Sequence, residues 1–196
     1  MNAAVGRIGP NAIIRVAEAL EHQRGHAMTE EVFAMAGLAR YLDEAPHEMV
    51  DEEEARRLHV MLRTLLGASA AAEVSREAGV ATANYLLANR IPKPVQFVLR
   101  SSPAVVASRV LLAAVSRHAW TFAGSGRFEA IAGPPSLLTI RDNPLTRGQA
   151  SDSPVCDYYG ATFEHLFREL VQRRTRVTEL TCEARGDDAC RFELRW

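Results

Sequence analysis

The sequence predicts an α+β fold, in which N-terminal helices pack with an antiparallel sheet and a C-terminal helix is followed by a hairpin. Two patterns lead to this class. Apolar residues recur at three- and four-residue intervals through roughly the first two thirds of the chain, and strand-like residues separated by turn signals follow. The chain has 196 residues, of which 47% are hydrophobic and 24% charged. This composition predicts a single globular domain over residues 1–196.

The first two helices are predicted from residues that begin and end helices. Asn11 is expected to cap the first helix, which ends near Gly25. The residues of that helix that are expected to face the core are Ile13, Val16, Ala17 and Leu20. Thr29 is expected to cap a short second helix that stops at Gly37.

A third helix is predicted from a pair that resembles a capping box, with Asp51 at the N-cap and Glu54 three residues later. The apolar stripe behind this pair consists of Ala55, Leu58, Leu62 and Leu65. The four consecutive acidic residues at 51–54 are interpreted as a solvated first turn that matches the helix dipole.

The middle of the chain predicts two longer helices with a break between them. The first runs over residues 69–87, and a Pro-Lys-Pro segment then breaks the chain before a short apolar turn over residues 95–99. Pro103 suits the first position of the second helix, which reaches Arg117. This helix is apolar nearly all round, so it is predicted to be buried.

Strands are predicted from residue 119 onward. Residues 119–122 are expected to form a strand, with Gly124-Ser125-Gly126 as the tight turn after it. Later strands are expected at 128–130 and 137–140. The glycine pair lacks both the third glycine and the following helix of a dinucleotide-binding fingerprint, so it is interpreted as a turn.

The C-terminal part is predicted to be a helix followed by a hairpin. Ser153-Pro154 opens the helix, and a hairpin with strands over 175–183 and 189–196 follows it. The apolar stripe of the helix consists of Val155, Tyr159, Phe163, Leu166, Phe167 and Leu170. Alternate residues of the second strand share one face, namely Cys190, Phe192, Leu194 and Trp196.

The three cysteines are candidates for a metal site. Cys182 and Cys190 lie opposite each other across the predicted hairpin, and Cys156 lies near the start of the preceding helix. Three thiolates and a fourth donor, for which Glu179 is the nearest residue, would form a closed tetrahedral zinc site. In a regular strand residues 179 and 182 point to opposite faces, so joint ligation requires a bulge or a strong twist. The alternative is three buried cysteines that act as small apolar residues.

His118 is the histidine with the clearest alternative roles. It precedes Trp120 and Phe122, so it is either an axial ligand or proton donor in an aromatic pocket, or a hydrogen-bonded core residue.

Composition excludes several classes of protein. The net charge of −1 gives no strong field for nucleic acid or an anionic lipid surface. An odd number of cysteines, three, indicates a reducing compartment or a metal. Residues 1–10 lack the features of a secretory leader, and the longest apolar stretch, residues 103–115, is too short to span a membrane. A cytoplasmic protein is therefore expected.

Four segments resemble known proteins. The tail at 182–193, Cys-Glu-Ala-Arg-Gly-Asp-Asp-Ala-Cys-Arg-Phe-Glu, resembles the end of the 4-vinyl reductase domain family. Segments 7–13, 85–92 and 118–126 resemble members of that family that serve bacteriochlorophyll synthesis. The resemblance implies an α+β fold related to a TRAPP-complex subunit and to haem-based nitric oxide sensors. It also implies a homodimer with a pocket for a small hydrophobic molecule.

The resemblance extends to the candidate metal site. Related sensor domains of aromatic-responsive transcription activators bind zinc through Cys, Glu, Cys and Cys. The same order and spacing occur here, and the matching residues are Cys156, Glu179, Cys182 and Cys190. A structural zinc is therefore the expected cofactor.

The family name implies reduction of a vinyl group on a tetrapyrrole ring. Such a reduction needs a hydride or electron source, and the sequence has neither a dinucleotide fingerprint nor the four cysteines of an iron–sulfur cluster. A carrier or accessory factor that binds a divinyl protochlorophyllide-type intermediate, and hands it to another enzyme of the pathway, is therefore expected. The alternatives are the vinyl reductase itself with an external donor, and a ligand-responsive sensor.

The ligand contacts expected for the carrier come from the middle of the chain. Trp120 and Phe122 are expected to form the pocket wall with the 103–115 helix, and His118 to contact the central magnesium. Arg90 or Arg117 is expected to meet the propionate.

Overall fold

The computed structural model describes residues 6–196, so the first half of the segment examined for a leader (residues 1–5) lies outside the described residues. Its helices are α1 (Asn11–Arg24), α2 (His26–Met35), α3 (Arg40–Asp43), α4 (Glu52–Leu66), α5 (Ala68–Asn89), α6 (Lys93–Ser101), α7 (Ala104–Arg117), α8 (Trp120–Ala123) and α9 (Asp157–Leu170). Its strands are β1 (Arg7–Ile8), β2 (Val50–Asp51), β3 (Arg127–Ile131), β4 (Ser136–Arg141), β5 (Arg176–Thr181) and β6 (Cys190–Arg195). Helices therefore come first and the main sheet later, and the α+β prediction is confirmed.

The main sheet has four antiparallel strands in the order β3-β4-β6-β5. The predicted C-terminal hairpin forms its β5–β6 edge, and β6 lies inside the sheet because β4 pairs with its other side. Inward residues of β6 alternate as predicted, with Cys190, Phe192 and Leu194 buried. The short pair β1–β2, which joins the start of the chain to the entrance of α4, was not predicted.

Helices α5 and α9 cross closely because a glycine lies at their contact. A Cβ atom on Gly79 would lie 2.3 Å from the carbonyl oxygen of Tyr158 and 2.9 Å from the Cβ of Ala161. The hydroxyl of Thr162 donates to the Gly79 carbonyl at 3.1 Å, and the hydroxyls of Thr82 and Tyr158 lie 2.9 Å apart. These contacts fix α9, and thus the first candidate cysteine, against the N-terminal helices.

The second helix begins earlier than predicted. α2 starts at His26, directly after Gly25 (φ 79°), so Thr29 lies inside the helix. The Thr29 hydroxyl donates to the Gly25 carbonyl, one turn back, instead of capping an end. The turn at Gly25 therefore separates α1 from α2, since a positive φ suits glycine.

The acidic segment before α4 is only partly the solvated turn that was predicted. Asp51 does cap the helix, because its carboxylate accepts from the Glu53 amide at 2.9 Å. Glu52, however, is buried, where it accepts from the amide and hydroxyl of Ser125 and from Arg147. Glu54 turns away from Asp51 and binds Arg40 and Tyr41. The solvated interpretation is therefore wrong for Glu52, which holds the 124–126 turn.

Three predictions for the middle of the chain are wrong. Residues 120–123 form the short helix α8 and not a strand, since the backbone continues from α7 through helical turns at His118 and Ala119. Helix α7 is buried on one side only, because Val105, Val106 and Val110 on its other side are exposed. The apolar turn predicted over 95–99 is the nine-residue helix α6.

Among the described residues, no helix is both long and apolar enough to cross a membrane.

Candidate metal centre

The four residues proposed as zinc ligands come together. One donor atom from each of Cys156, Glu179, Cys182 and Cys190 lies within 4.8 Å of the other three. The Sγ atom of Cys156 lies 3.9 Å from that of Cys182 and 3.5 Å from that of Cys190. All three cysteines are buried, free thiols. The fold therefore gathers three sulfurs and one carboxylate around a single point.

The local fold explains how residues on three elements reach one point. Cys156 occupies the N-cap of α9, and Cys190 opens β6. The pairing of β5 with β6 shifts register between Glu179 and Thr181. This irregularity is the bulge that the spacing required, because an extra residue turns Glu179 and Cys182 toward the same side. A tight turn with Gly186 in the left-handed conformation (φ 87°) then brings the chain back to Cys190.

Neighbouring hydrogen-bond donors favour negative charge on the sulfur atoms. The Asn143 amide nitrogen lies 3.4 Å from the Sγ atoms of both Cys156 and Cys190, and the Glu183 backbone amide lies 3.4 Å from Cys190 Sγ. Hydrogen bonds from Cys156 and Cys182 lower the pKa of Cys190 to about 4. Burial raises the pKa of Cys156.

Glu179 is the candidate ligand whose surroundings most favour a cation. Its Oε2 accepts from the Cys156 amide at 2.9 Å. Among the described residues, no hydrogen-bond donor reaches its Oε1, although that atom is buried. Burial, with the charge of Cys182 second, raises the pKa of Glu179 to about 8. A buried carboxylate oxygen without a partner costs free energy, and a metal ion would remove that cost.

Three supporting residues were missed by the sequence analysis. Asn143 follows β4, and its loop is held by the Glu183 carboxylate, which accepts from the amides of Asp142 and Asn143 at 2.6 and 2.8 Å. Arg63 on α4 is partly buried and donates to Gln149 and to the carbonyl of Val155, the residue before Cys156. The only available signal was the position of Glu183 next to Cys182, because Asn143 and Arg63 are remote in sequence.

The five predicted ligand contacts do not line one enclosed pocket. Arg90, Arg117, His118 and Trp120 are exposed, and 61% of the Trp120 surface is accessible. Phe122 is partly buried and packs edge-on against Phe128, with ring centroids 5.1 Å apart. Its neighbours in the same aromatic cluster are Tyr159 and Phe163.

Two surface clefts, of about 590 and 440 Å³, lie elsewhere. The larger lies between α4, α5 and the 148–157 loop, and none of the five predicted contacts lines either cleft. The smaller cleft includes Cys156 and Glu179 in its wall, so the metal centre lies directly beside a surface opening.

Comparison with known proteins identifies the domain family of the C-terminal part and the fold of nearly the whole chain. The family model of the 4-vinyl reductase domain matches residues 137–196, which include all four candidate ligands. A solved protein of the H-NOX family, in which haem distortion was studied, has the same fold over 96% of this chain and 95% of its own, with a TM-score of 0.60 and 15% identity. The predicted relation to haem-based nitric oxide sensors is therefore confirmed at the level of fold.

Two relatives match nearly the whole chain. The bacteriochlorophyll synthase 23 kDa chain of Cereibacter sphaeroides is 42% identical over 98% of this chain and 92% of its own length. The protein of the same description from Rhodobacter capsulatus is 38% identical over 96% of this chain and 86% of its own. Identity of this extent, over both the helical part and the 4-vinyl reductase part, shows that the chain belongs to the family of bacteriochlorophyll synthase 23 kDa chains.

Proposed function

We propose that this chain is a zinc-stabilised carrier or accessory factor of bacteriochlorophyll biosynthesis, which binds a divinyl protochlorophyllide-type tetrapyrrole. The observation that carries the proposal is the full-length similarity to two bacteriochlorophyll synthase 23 kDa chains on a fold shared with a haem protein. A haem and a chlorophyll precursor are both flat macrocycles with large apolar faces and acidic side groups. A fold that binds haem therefore has helices and strands of a size that suits a chlorophyll precursor.

The zinc part of the proposal rests on the donor set. Cys156, Cys182, Cys190 and Glu179 supply three sulfurs and a carboxylate oxygen, which is a set that suits a closed structural zinc. The buried Oε1 of Glu179 would then have a partner. Zinc has no redox chemistry, so its role here is to fix α9 and the β5–β6 hairpin to each other.

The tetrapyrrole part of the proposal uses the residues at the end of α7 and in α8. His118 and Trp120 are accessible to a ligand, and Phe122 connects this surface with the aromatic cluster beneath it. In the proposed complex the indole ring stacks on the macrocycle, His118 meets the central magnesium, and Arg117 or Arg90 pairs with the propionate.

A carrier is favoured over a reductase by the local structure of the glycine pair. Gly124 and Gly126 form a turn that leads into strand β3, whereas a dinucleotide-binding turn leads into a helix. The cytoplasmic homodimer and the receiving enzyme of the pathway, both implied by the family resemblance, form part of the same proposal.

The test is an absorption titration of the purified protein with divinyl protochlorophyllide, repeated with NADPH. We expect a saturable shift of the pigment bands that NADPH leaves unchanged. His118→Ala and Trp120→Ala are each expected to weaken binding about tenfold, while His47→Ala, which changes another exposed histidine, is expected to have no effect.

Other outcomes would contradict parts of the proposal. Time-dependent conversion to the monovinyl spectrum with NADPH would identify the chain as the vinyl reductase. Unchanged affinity of both variants would remove His118 and Trp120 from the site, and no shift under any condition would exclude pigment binding.

A further inference from the structure

Helix α6 buries Leu99 together with one polar residue, and leaves other apolar residues exposed. Its polar residue Gln96 is buried and donates to the carbonyl of Ile91 at 2.8 Å. Arg100, one turn later, donates to the carbonyl of Glu169 at the end of α9. The apolar residues Phe97 and Val98 instead face solvent, with 71% and 60% of their surface accessible. Exposure of this kind in a globular protein indicates a binding surface.

The next helix continues this apolar surface. α7 follows α6 after a two-residue link and packs against it. Its buried residues, such as Leu111 and Leu112, lie on one side, while Val105 and Val106 lie exposed on the other. Two adjacent helices therefore present apolar side chains to solvent.

The chain segment that carries this surface contains only positively charged residues. From residue 78 to residue 128 the sequence contains six Lys or Arg residues and no Asp or Glu. Four of them are exposed on α6 and α7 themselves, and one of the four, Arg100, pairs with Glu169. Lys93 on α6 and Arg109 on α7 are the two that lie nearest in sequence to the exposed apolar residues. The net charge of −1 for the whole chain conceals this segregation, so the sequence-based exclusion of an anionic lipid surface does not hold for this region.

We propose that the basic apolar face, defined by Lys93, Phe97, Val98, Val105, Val106 and Arg109, docks on the surface of an anionic lipid bilayer. The apolar side chains enter the interfacial region, and the two cations remain at the level of the phosphates. This proposal does not depend on pigment binding.

Three occupants could cover this face: a second copy of the chain, a pigment or a lipid surface. Size and charge favour the lipid surface. A second copy would bring two positively charged faces together, and like charges oppose that contact. A small pigment is too small to cover two helices. A lipid surface supplies both the apolar medium and the negative charge that the face lacks.

The test is sedimentation of the full chain with vesicles of mixed phosphatidylglycerol and phosphatidylcholine, and with vesicles of phosphatidylcholine alone. We expect binding to the anionic vesicles that salt weakens, and binding to the neutral vesicles that is at least about tenfold weaker. The double variants Phe97→Gln/Val106→Gln and Lys93→Gln/Arg109→Gln are each expected to lose about tenfold or more in affinity.

Met35→Gln is the matched control, since Met35 is an apolar side chain on α2 with 63% of its surface exposed, and we expect it to bind vesicles like the wild type. Thermal unfolding of each variant checks that the fold is kept. Equal binding to both kinds of vesicle, absence of binding to either, or wild-type affinity in both double variants would overturn the proposal. A dimer that Phe97→Gln/Val106→Gln converts to a monomer, with vesicle binding unchanged, would also overturn it by assigning the face to a second copy.

Discussion

His59 shows how one buried side chain makes the stability of the fold depend on pH. It lies on α4 with its Nε2 3.2 Å from the carbonyl oxygen of Ala12. Burial, with repulsion from Arg63 second, lowers the pKa of His59 to about 3. The neighbouring Tyr158 ring offers no negative charge to stabilise an imidazolium, since burial raises its pKa further, to about 12. The folded chain therefore holds His59 neutral, whereas the unfolded chain protonates it below about pH 6.5.

This difference in the protonation of His59 predicts that the fold loses stability on acidification, at pH values above those at which carboxylates titrate. The histidine pKa is lower in the folded than in the unfolded state, so the stability it contributes is complete above about pH 6.5 and is lost as the pH falls. We expect a loss of about 1 kcal/mol in the free energy of unfolding between about pH 7 and pH 5.5. Urea unfolding at the two pH values measures it. His59→Gln should remove this loss, and an equal loss in that variant would assign it to other groups.

At the scale of elements, the contact between α5 and α9 positions the metal centre. Gly79→Ala would place a methyl group 2.3 Å from the Tyr158 carbonyl oxygen, so the helices would have to separate. We expect a loss of about 1–3 kcal/mol in the free energy of unfolding, measured by urea. Gly160→Ala is the control, because Gly160 lies inside α9 with no atom near the new Cβ. That variant should be stabilised by about 0.5–1 kcal/mol, and equal effects of both would argue against close packing at Gly79.

The elements that the sequence predicts correctly are those with local signals. The Asp51 cap, the apolar stripe of α9 and the alternation along β6 each depend on residues that are close together in the sequence. The errors occur where tertiary contacts override local preference. Glu52 is buried because Ser125 and Arg147, which are distant in sequence, approach it.

The same distinction applies to the two candidate sites. The candidate metal ligands could be named from the sequence because cysteine spacing and a family motif indicate them, whereas the neighbouring Asn143 has no such signal. The exposure of Phe97 and Val98 on α6 could not be foreseen, since the sequence does not say which side of a helix the protein covers. The burial of Gln96 decides that question.

At the scale of the whole molecule, the candidate metal centre belongs to the same structural unit as the helices. Cys190 lies on β6, which is inside the four-stranded sheet, and the buried core is one cluster that runs from Ile8 to Leu194. The site therefore does not hold a separate flap. We expect loss of a bound metal to weaken the entire fold, because the hairpin and the helices share this core.

We therefore predict that the purified chain contains about one zinc per molecule and that a strong chelator lowers its melting temperature in one transition. A loss of about 3 kcal/mol or more corresponds to a decrease of about 6–12 °C for a chain of this size. Cys182→Ser should melt at the lower temperature from the start and should not respond to the chelator. Elemental analysis and calorimetry measure both quantities. Zinc below about half an equivalent would contradict the structural site. A separate early transition would show instead that the hairpin unfolds independently of the helices.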